Sequence, residues 1–374
     1  MKSFKLIAGS AVLGTALAAC NSDGESRLDL LDSCISGRAS EAYPQSDNIQ
    51  CLHRLDTGST QFQSSASTRE VQFASDSQTL YTLSTYVQQW QMADGSEIPP
   101  DTPVNTTDLE GGGDLHYSPS RGYVGFSQGS RVYTDIVPGT PLLESDGSGY
   151  RAVTYIEGLD AFVGYGLDGD TLYFYNRTTG DLMADQPITP NINRVVGGRD
   201  SYATALSDFR IVVWPIAETQ SGLVLAGHEA KVVEITYSDD ETQLTSVDAK
   251  GTIIVWDLAT GKLQHQFQTE MSQAVPAATV AFSPNGQLLA TNGQGPEITF
   301  WSLKAGETMA QITIAKFGIL DLDISPDGSK LAVGLSWGGR YDQNARRSAQ
   351  ETVLDPNLLE AGPAVIFDIT DLQP

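Results

Sequence analysis

The chain has 374 residues, with 46 acidic against 22 basic side chains and a formal net charge of −24. That excess repels nucleic-acid backbones and anionic lipid headgroups, which excludes nucleic-acid binding as a function. The length is enough for a large core, and no stretch beyond the first twenty residues is apolar enough to span a membrane. In chain order, Lys2 and Lys5 come first, followed by an apolar run of small residues from Leu6 to Ala19. That run is shorter than the roughly 20 residues a spanning helix needs, and it reads as an export signal.

The run ends in Leu17-Ala18-Ala19-Cys20, which resembles the lipobox of bacterial lipoproteins. The resemblance implies a signal peptide over 1–19, a diacylglyceryl group on the Cys20 sulfur and a lipidated tether over 20–48. An ordinary secretory signal with an incidental Cys20 is the alternative. No Asp follows Cys20 directly, which by the same resemblance implies the outer membrane, facing the periplasm, rather than the inner membrane. In such an oxidising compartment Cys34 and Cys51 read as one disulfide, contributing about 3 kcal/mol. Two free thiols are the other reading. No C-x-x-C is present, so redox catalysis is not expected.

From residue 73 onward one pattern recurs. Residues 227–257 begin Gly227-His228, continue through VVEITYSDDETQLTSVD and end GTIIVWD at Trp256-Asp257. Residues 282–301 and 324–367 repeat it, with SPNGQLLATNG and SPDGSKLAVG as the turn and second strand. Tyr237 precedes Leu244 by seven residues and Trp256 by nineteen, and Phe282, Leu289 and Trp301 repeat both intervals. The same register gives Phe73, Leu80 and Trp90; Tyr117, Val124 and Tyr133; Tyr155, Phe162 and Tyr175. It continues with Val195, Tyr202 and Trp214, and with Ile324, Leu331 and Phe367. The seven anchors lie 38 to 45 residues apart, the length of a four-stranded propeller blade.

The Gly-His to Trp-Asp span resembles the WD40 repeat. The resemblance implies an all-β fold over 49–374: a seven-bladed β-propeller of four-stranded antiparallel blades, closed by an N-terminal outer strand. Each first strand is expected to be short, apolar and buried on both faces. Leu55-Asp56-Thr57-Gly58, running on to Gln61-Phe62, resembles Leu258-Ala259-Thr260-Gly261, running on to Gln266-Phe267. It is therefore expected to supply the closing strand, with the Cys34–Cys51 bridge just upstream and Ile49 to Arg54 as an extra outer strand. The family's hydrogen-bonded blade set implies roles for His228, Ser246 and Trp256, with Asp257 beside them. Its acid should precede Gly251, where Lys250 stands and Asp248 lies two residues earlier, so a complete set is not expected.

Two spellings of catalytic loops are present. Gly164, Gly166 and Gly169 spell G-x-G-x-x-G, and Gly125 to Gly129 spell G-x-S-x-G. Both motifs need a helix to follow, whereas β-branched and aromatic runs follow here, so turns and strands are expected. The histidines His53, His116, His228 and His265 are not spaced as ligands, and neither metal nor cofactor is expected.

Residues 337–363 interrupt the last repeat between its second and third strands. They carry Trp337, Arg340, Tyr341, Arg346 and Arg347, residue types enriched at interface hot spots. One reading is a partner-contact loop on the Gly-His face, and the other is a solvated loop that neutralises acidic surroundings. The expected function is a membrane-anchored interaction scaffold of the bacterial cell envelope, monomeric by itself, with an envelope protein as partner and no catalysis. The alternatives are a propeller-type hydrolase or lactonase with a central-channel site, and an accessory lipoprotein resembling the barrel-assembly propeller. That propeller favours a tryptophan soon after Thr-Gly, where this chain has Lys262-Leu263-Gln264.

Overall fold

A computed structural model of the protein describes residues 49–55, 68–84, 87–99, 113–118, 120–128, 131–134, 141–144, 150–166, 168–217, 222–269, 279–292, 297–313, 319–335 and 364–372. They form seven four-stranded antiparallel sheets, each ordered from an inner strand outward. The inner strands of blades 1 to 7 are Glu70–Phe73, Gly113–Ser118, Tyr150–Ile156, Ile192–Gly197, Val232–Tyr237, Val280–Phe282 and Ile319–Ile324. Each packs beside the next and the seventh beside the first, so the fold is a seven-bladed propeller. No helix among the described residues is long and apolar enough to cross a membrane. Cys20, Cys34, Trp337, Arg340, Tyr341, Arg346 and Arg347 lie outside the described residues.

Blade 7 is built from Ile319–Ile324, Lys330–Leu335, Ala364–Asp368 and, outermost, the N-terminal strand Gln50–Leu55. The closing strand is therefore residues 50–55, the stretch expected as an extra outer strand, while Gln61 and Phe62 lie outside the described residues. Leu55 pairs with Ala364 and Cys51 with Phe367, so Cys51 lies within the clasp rather than upstream of it. The Thr-Gly comparison misled for a physical reason. Asp257 to Gly261 is a tight turn joining a third strand to its own fourth, whereas the clasp arrives from the far end of the chain and needs no such turn.

Apolar packing binds each blade to its neighbour. Trp256 packs with Ala203, Ile211 and Leu225 of blade 4. Trp301 lies against Phe267 of blade 5, and Trp90 shares a core with Ala332 and Ile366 of blade 7. The third-strand aromatic thus fills the gap to the preceding blade, which one sheet alone would leave wet. In blades 1, 3, 5, 6 and 7 it stands in one pairing row with the two residues expected, as in Tyr237–Leu244–Trp256. Blades 2 and 4 differ. Tyr133 opposes Phe126 rather than Val124, behind a bulge at His116/Tyr117. In blade 4 the residue opposite Tyr202 is Gly197, and Val195 faces Thr204.

The turns from first to second strand repeat as well. Their fourth residue is left-handed in five blades: Ser77, Asp160, Glu241, Gly286 and Gly328. Glycine adopts that backbone freely, while serine and glutamate do so at a cost of about 1 kcal/mol. All three non-glycine residues bond the preceding blade, Asp160 through the Arg121 guanidinium at 3.5 Å. Ser77 Oγ accepts from the Asp327 amide at 2.9 Å, and Glu241 accepts from the Arg199 amide. The two catalytic spellings resolve here too. Gly164 and Gly166 lie in the strand Ala161–Gly166, Gly169 lies in a turn, and the strand Thr171–Asn176 follows. Gly125 lies within Gly122–Gln128, and the strand Arg131–Thr134 follows.

Candidate functional site

The inner strands surround a channel of about 430 Å³. They are not the doubly buried apolar strands expected, because seven strands leave the axis open and polar side chains enter it. In blades 1 and 3 to 7 the residue three before the first-strand member of the pairing row is Glu70, Ala152, Arg194, Glu234, Thr279 or Asp321. Glu70, Arg194, Glu234, Thr279 and Asp321 of this set line the channel, with Asp323 two residues further on. None of these was singled out from the sequence. The signal was present as a fixed offset from the anchors, and blade 4's misplaced anchor would have given Ile192 instead of Arg194.

Most of these polar groups are committed to neighbouring blades. Arg194 donates to Glu234, and Thr279 Oγ1 donates to Asp321 Oδ1 at 2.9 Å. Asp321 Oδ2 accepts from the Val71 amide at 2.9 Å, and Asp323 Oδ2 from the Phe73 amide at 2.6 Å. Glu70 accepts from the Leu115 amide. Burial lifts the Asp321 carboxyl to about 7 and raises those of Glu70 and Asp323 well above the usual range. Burial also lifts Glu234, against the opposing pull of Arg194. Acidic groups thus converge at the axis, as a channel enzyme would need. Each of these four carboxyls, however, already accepts a hydrogen bond from a neighbouring blade. Among the described residues, no three His, Cys, Asp or Glu side chains are grouped to hold a metal ion.

His116 is packed against Phe162 with ring centroids 5.2 Å apart, and its buried Nε2 has no hydrogen-bond partner. Burial lowers its pKa from 6.5 to about 4. The unfolded chain therefore binds more protons, and stability present above pH 6.5 is lost as pH falls toward 4. Denaturant unfolding of the wild type and of His116→Gln at pH 7 and pH 4.5 is expected to show the wild type losing on the order of 2 kcal/mol relative to the variant over that fall in pH, whatever the buried carboxyls contribute to both.

Blade 5 carries a second buried polar set. Trp256 Nε1 donates to Ser246 Oγ at 2.8 Å, and Ser246 Oγ lies 2.7 Å from His228 Nε2. His228 Nδ1 lies 3.1 Å from Asp248 Oδ2. One arrangement of protons satisfies all three bonds: the indole donates to the hydroxyl, the hydroxyl to Nε2, and Nδ1–H to the carboxylate. Burial lowers the His228 pKa, in keeping with that neutral ring. The acid that the sequence placed in doubt is therefore Asp248, at the end of the strand Gln243–Asp248. Its Oδ1 also accepts from the Lys250 and Thr252 amides at 2.9 and 3.0 Å, closing the turn in which Lys250 stands. Asp257 lies outside this set and caps the next turn by accepting from the Thr260 amide at 2.8 Å. Gly227 has no side chain because a Cβ there would meet the Trp256 ring at 2.9 Å. The family model of the WD domain, G-beta repeat, matches residues 219–257.

Blade 5 is similar to the WD40 repeat. Blades 1, 4 and 6 keep a reduced form of the WD40 set, in which Trp90, Trp214 and Trp301 donate to Thr82, Thr204 and Thr291 at 2.9, 3.0 and 2.9 Å. The chain is similar in fold to the WD40 β-propeller domain of Doa1, with a TM-score of 0.57 and 17% identity over 87% of this chain and 98% of that one. It is 30% identical over 236 residues to U3 small nucleolar RNA-associated protein 21 of Saccharomyces cerevisiae, covering 60% of this chain and 24% of that protein. It is 29% identical over 114 residues to transcription initiation factor TFIID subunit 5 of Caenorhabditis elegans, covering 30% of this chain and 16% of that protein. It is 24% identical over 173 residues to a WDS homolog of Arabidopsis thaliana, covering 45% and 32%. These relatives are eukaryotic, and the matches span less than a third of their lengths. Family model and relatives together support the WD40 repeat family.

Proposed function

We propose that the protein is a protein-interaction scaffold without catalysis, anchored through acyl chains on Cys20 in the bacterial cell envelope, on the outer membrane facing the periplasm. The observation that carries the scaffold reading is the WD40 propeller itself. Its buried polar groups serve to hold blades together, and the chain's surface is left to partners. The relatives support the coarser reading through their names, which include "associated protein" and "subunit". Membrane anchoring and compartment rest on the sequence Leu17-Ala18-Ala19-Cys20. The contact site is assigned to the insertion 337–363, which leaves blade 7 between Lys330–Leu335 and Ala364–Asp368, with Trp337, Arg340, Tyr341, Arg346 and Arg347 as its anchors.

Pull-down from detergent-solubilised envelope membranes tests this. Deleting 337–363 is expected to reduce recovery of a specific partner at least tenfold, with the propeller's melting unchanged. Equal recovery from both chains removes the loop from the contact site. Cys20→Ala is expected to move the chain from the membrane to the soluble fraction. The acidic channel favours a second reading, a central-channel hydrolase. Turnover of an ester or lactone that Asp321→Asn abolishes is the result that would establish it.

A further inference from the structure

We propose that the seam joining blades 7, 1 and 2 is a pH-sensitive latch. It is closed while Asp321, Asp323 and Glu70 are protonated, and it loosens when they ionise and repel one another. The inference does not depend on where the protein resides or what it binds.

The seams of this ring are bonded differently. Between blades 3 and 4, the Gly197 amide donates to Thr154 Oγ1 at 2.9 Å, an uncharged pair. Between blades 4 and 5, Glu234 is matched by Arg194, and Ser201 Oγ donates to Tyr237 Oη at 2.9 Å. The seam from blade 7 to blade 1 instead adds two carboxyls of a single strand to its apolar packing and to the Ser77–Asp327 and Thr68–Leu335 bonds. Asp321 and Asp323 take the amides of Val71 and Phe73, and Gln72 Nε2 adds a bond to Asp323 at 3.0 Å. The next seam continues the pattern with Glu70 on the Leu115 amide.

A carboxyl oxygen accepts an amide proton in either protonation state, so these bonds do not themselves report pH. The charge around them does. Glu70 faces Asp114 and Asp321. Asp321 faces Glu234, and Asp323 faces Asp321 and Asp239. The cations at the channel are Arg194, already engaged by Glu234, and Arg69 and Arg199 on its lining. Ionising several buried carboxyls with so little compensation is unfavourable, and opening the seam to water relieves it. This is also where the ring closes without a covalent link between third and fourth strand, since Ala364–Asp368 holds Gln50–Leu55 by strand pairing. The folded seam binds more protons than the open one between the ordinary carboxylate range and the raised values. It is therefore tightest in mild acid and loosens as pH rises through about 7.

Hydrogen exchange of the full chain at pH 5.5 and pH 8.5, corrected for intrinsic rates, reads the latch locally. Peptides spanning Glu70–Phe73 and Ile319–Ile324 are expected to lose at least tenfold protection at the higher pH, while Thr252–Asp257 in blade 5 does not. The double variant Asp321→Asn/Asp323→Asn is expected to make the seam's protection the same at both pH values. Should that variant not fold, Glu70→Gln is read the same way and is expected to reduce the pH-dependent loss. Equal protection of the wild-type seam at both pH values overturns the proposal, as does a pH-dependent loss that persists unchanged in the variant that folds.

Discussion

Replacing Trp256 by alanine is expected to destabilise the propeller by about 3–5 kcal/mol, the range for removing a buried indole. Three losses combine. The ring is 1% exposed and occupies the space between blades 4 and 5, so its removal leaves a cavity lined by Ala203, Ile211 and Ile254. Ser246 Oγ loses a donor, and the proton order that keeps His228 neutral loses its first member. Gly227, shaped to the indole, is left against empty space. Trp256→Phe separates the terms: it fills most of the volume but cannot donate, so a cost of about 1–2 kcal/mol is expected. Urea unfolding of the three chains measures both. A loss under 1 kcal/mol for the alanine variant would mean that blade 5 does not depend on its aromatic wedge.

Gly197→Ala is expected to destabilise by about 2–4 kcal/mol, although it adds a single methyl group. A Cβ at this position would lie 2.0 Å from the Tyr155 carbonyl oxygen and 2.8 Å from its carbon, both backbone atoms of the blade 3 inner strand. Neither can swing aside as a side-chain tip would. The two inner strands must separate, which pulls on the Gly197–Thr154 bond and on the Glu157 and Gly158 amides bonded to Gly198 and Arg199. Gly166→Ala is the matched control. Its Cβ would meet nothing within 4 Å, so a change within about 0.5 kcal/mol is expected. Thermal melts that fail to separate the two variants would show that the seam between blades 3 and 4 has slack.

The register error in blade 4 follows from the same glycine. Sequence periodicity finds apolar residues, and Val195 is the apolar residue at the right distance. The structure puts Gly197 in the row because backbone proximity, not side-chain volume, governs that point. In blade 2 the bulge at His116/Tyr117 inserts a residue that no interval count detects. The tetrad of blade 5 was legible in three members, and the fourth, Asp248, was left open because the family's spacing pointed at Lys250. Asp248 reaches His228 across nineteen intervening strand and turn residues by virtue of the turn it closes.

The sequence by itself determined the blades. A four-stranded meander is a local object, and its alternating apolar positions, Asp-Gly turns and third-strand aromatics are all written within about 40 residues. The count of seven and the absence of helices after the glycine motifs follow from that local code. Only the tertiary structure decided what the ring brings together. Asp321 meets Val71 and Asp323 meets Phe73 across 250 residues, and strand 50–55 completes blade 7. Those pairings depend on closure of the circle, which makes Asp321, harmless in an isolated blade, a buried neighbour of Glu70, Glu234 and Asp323.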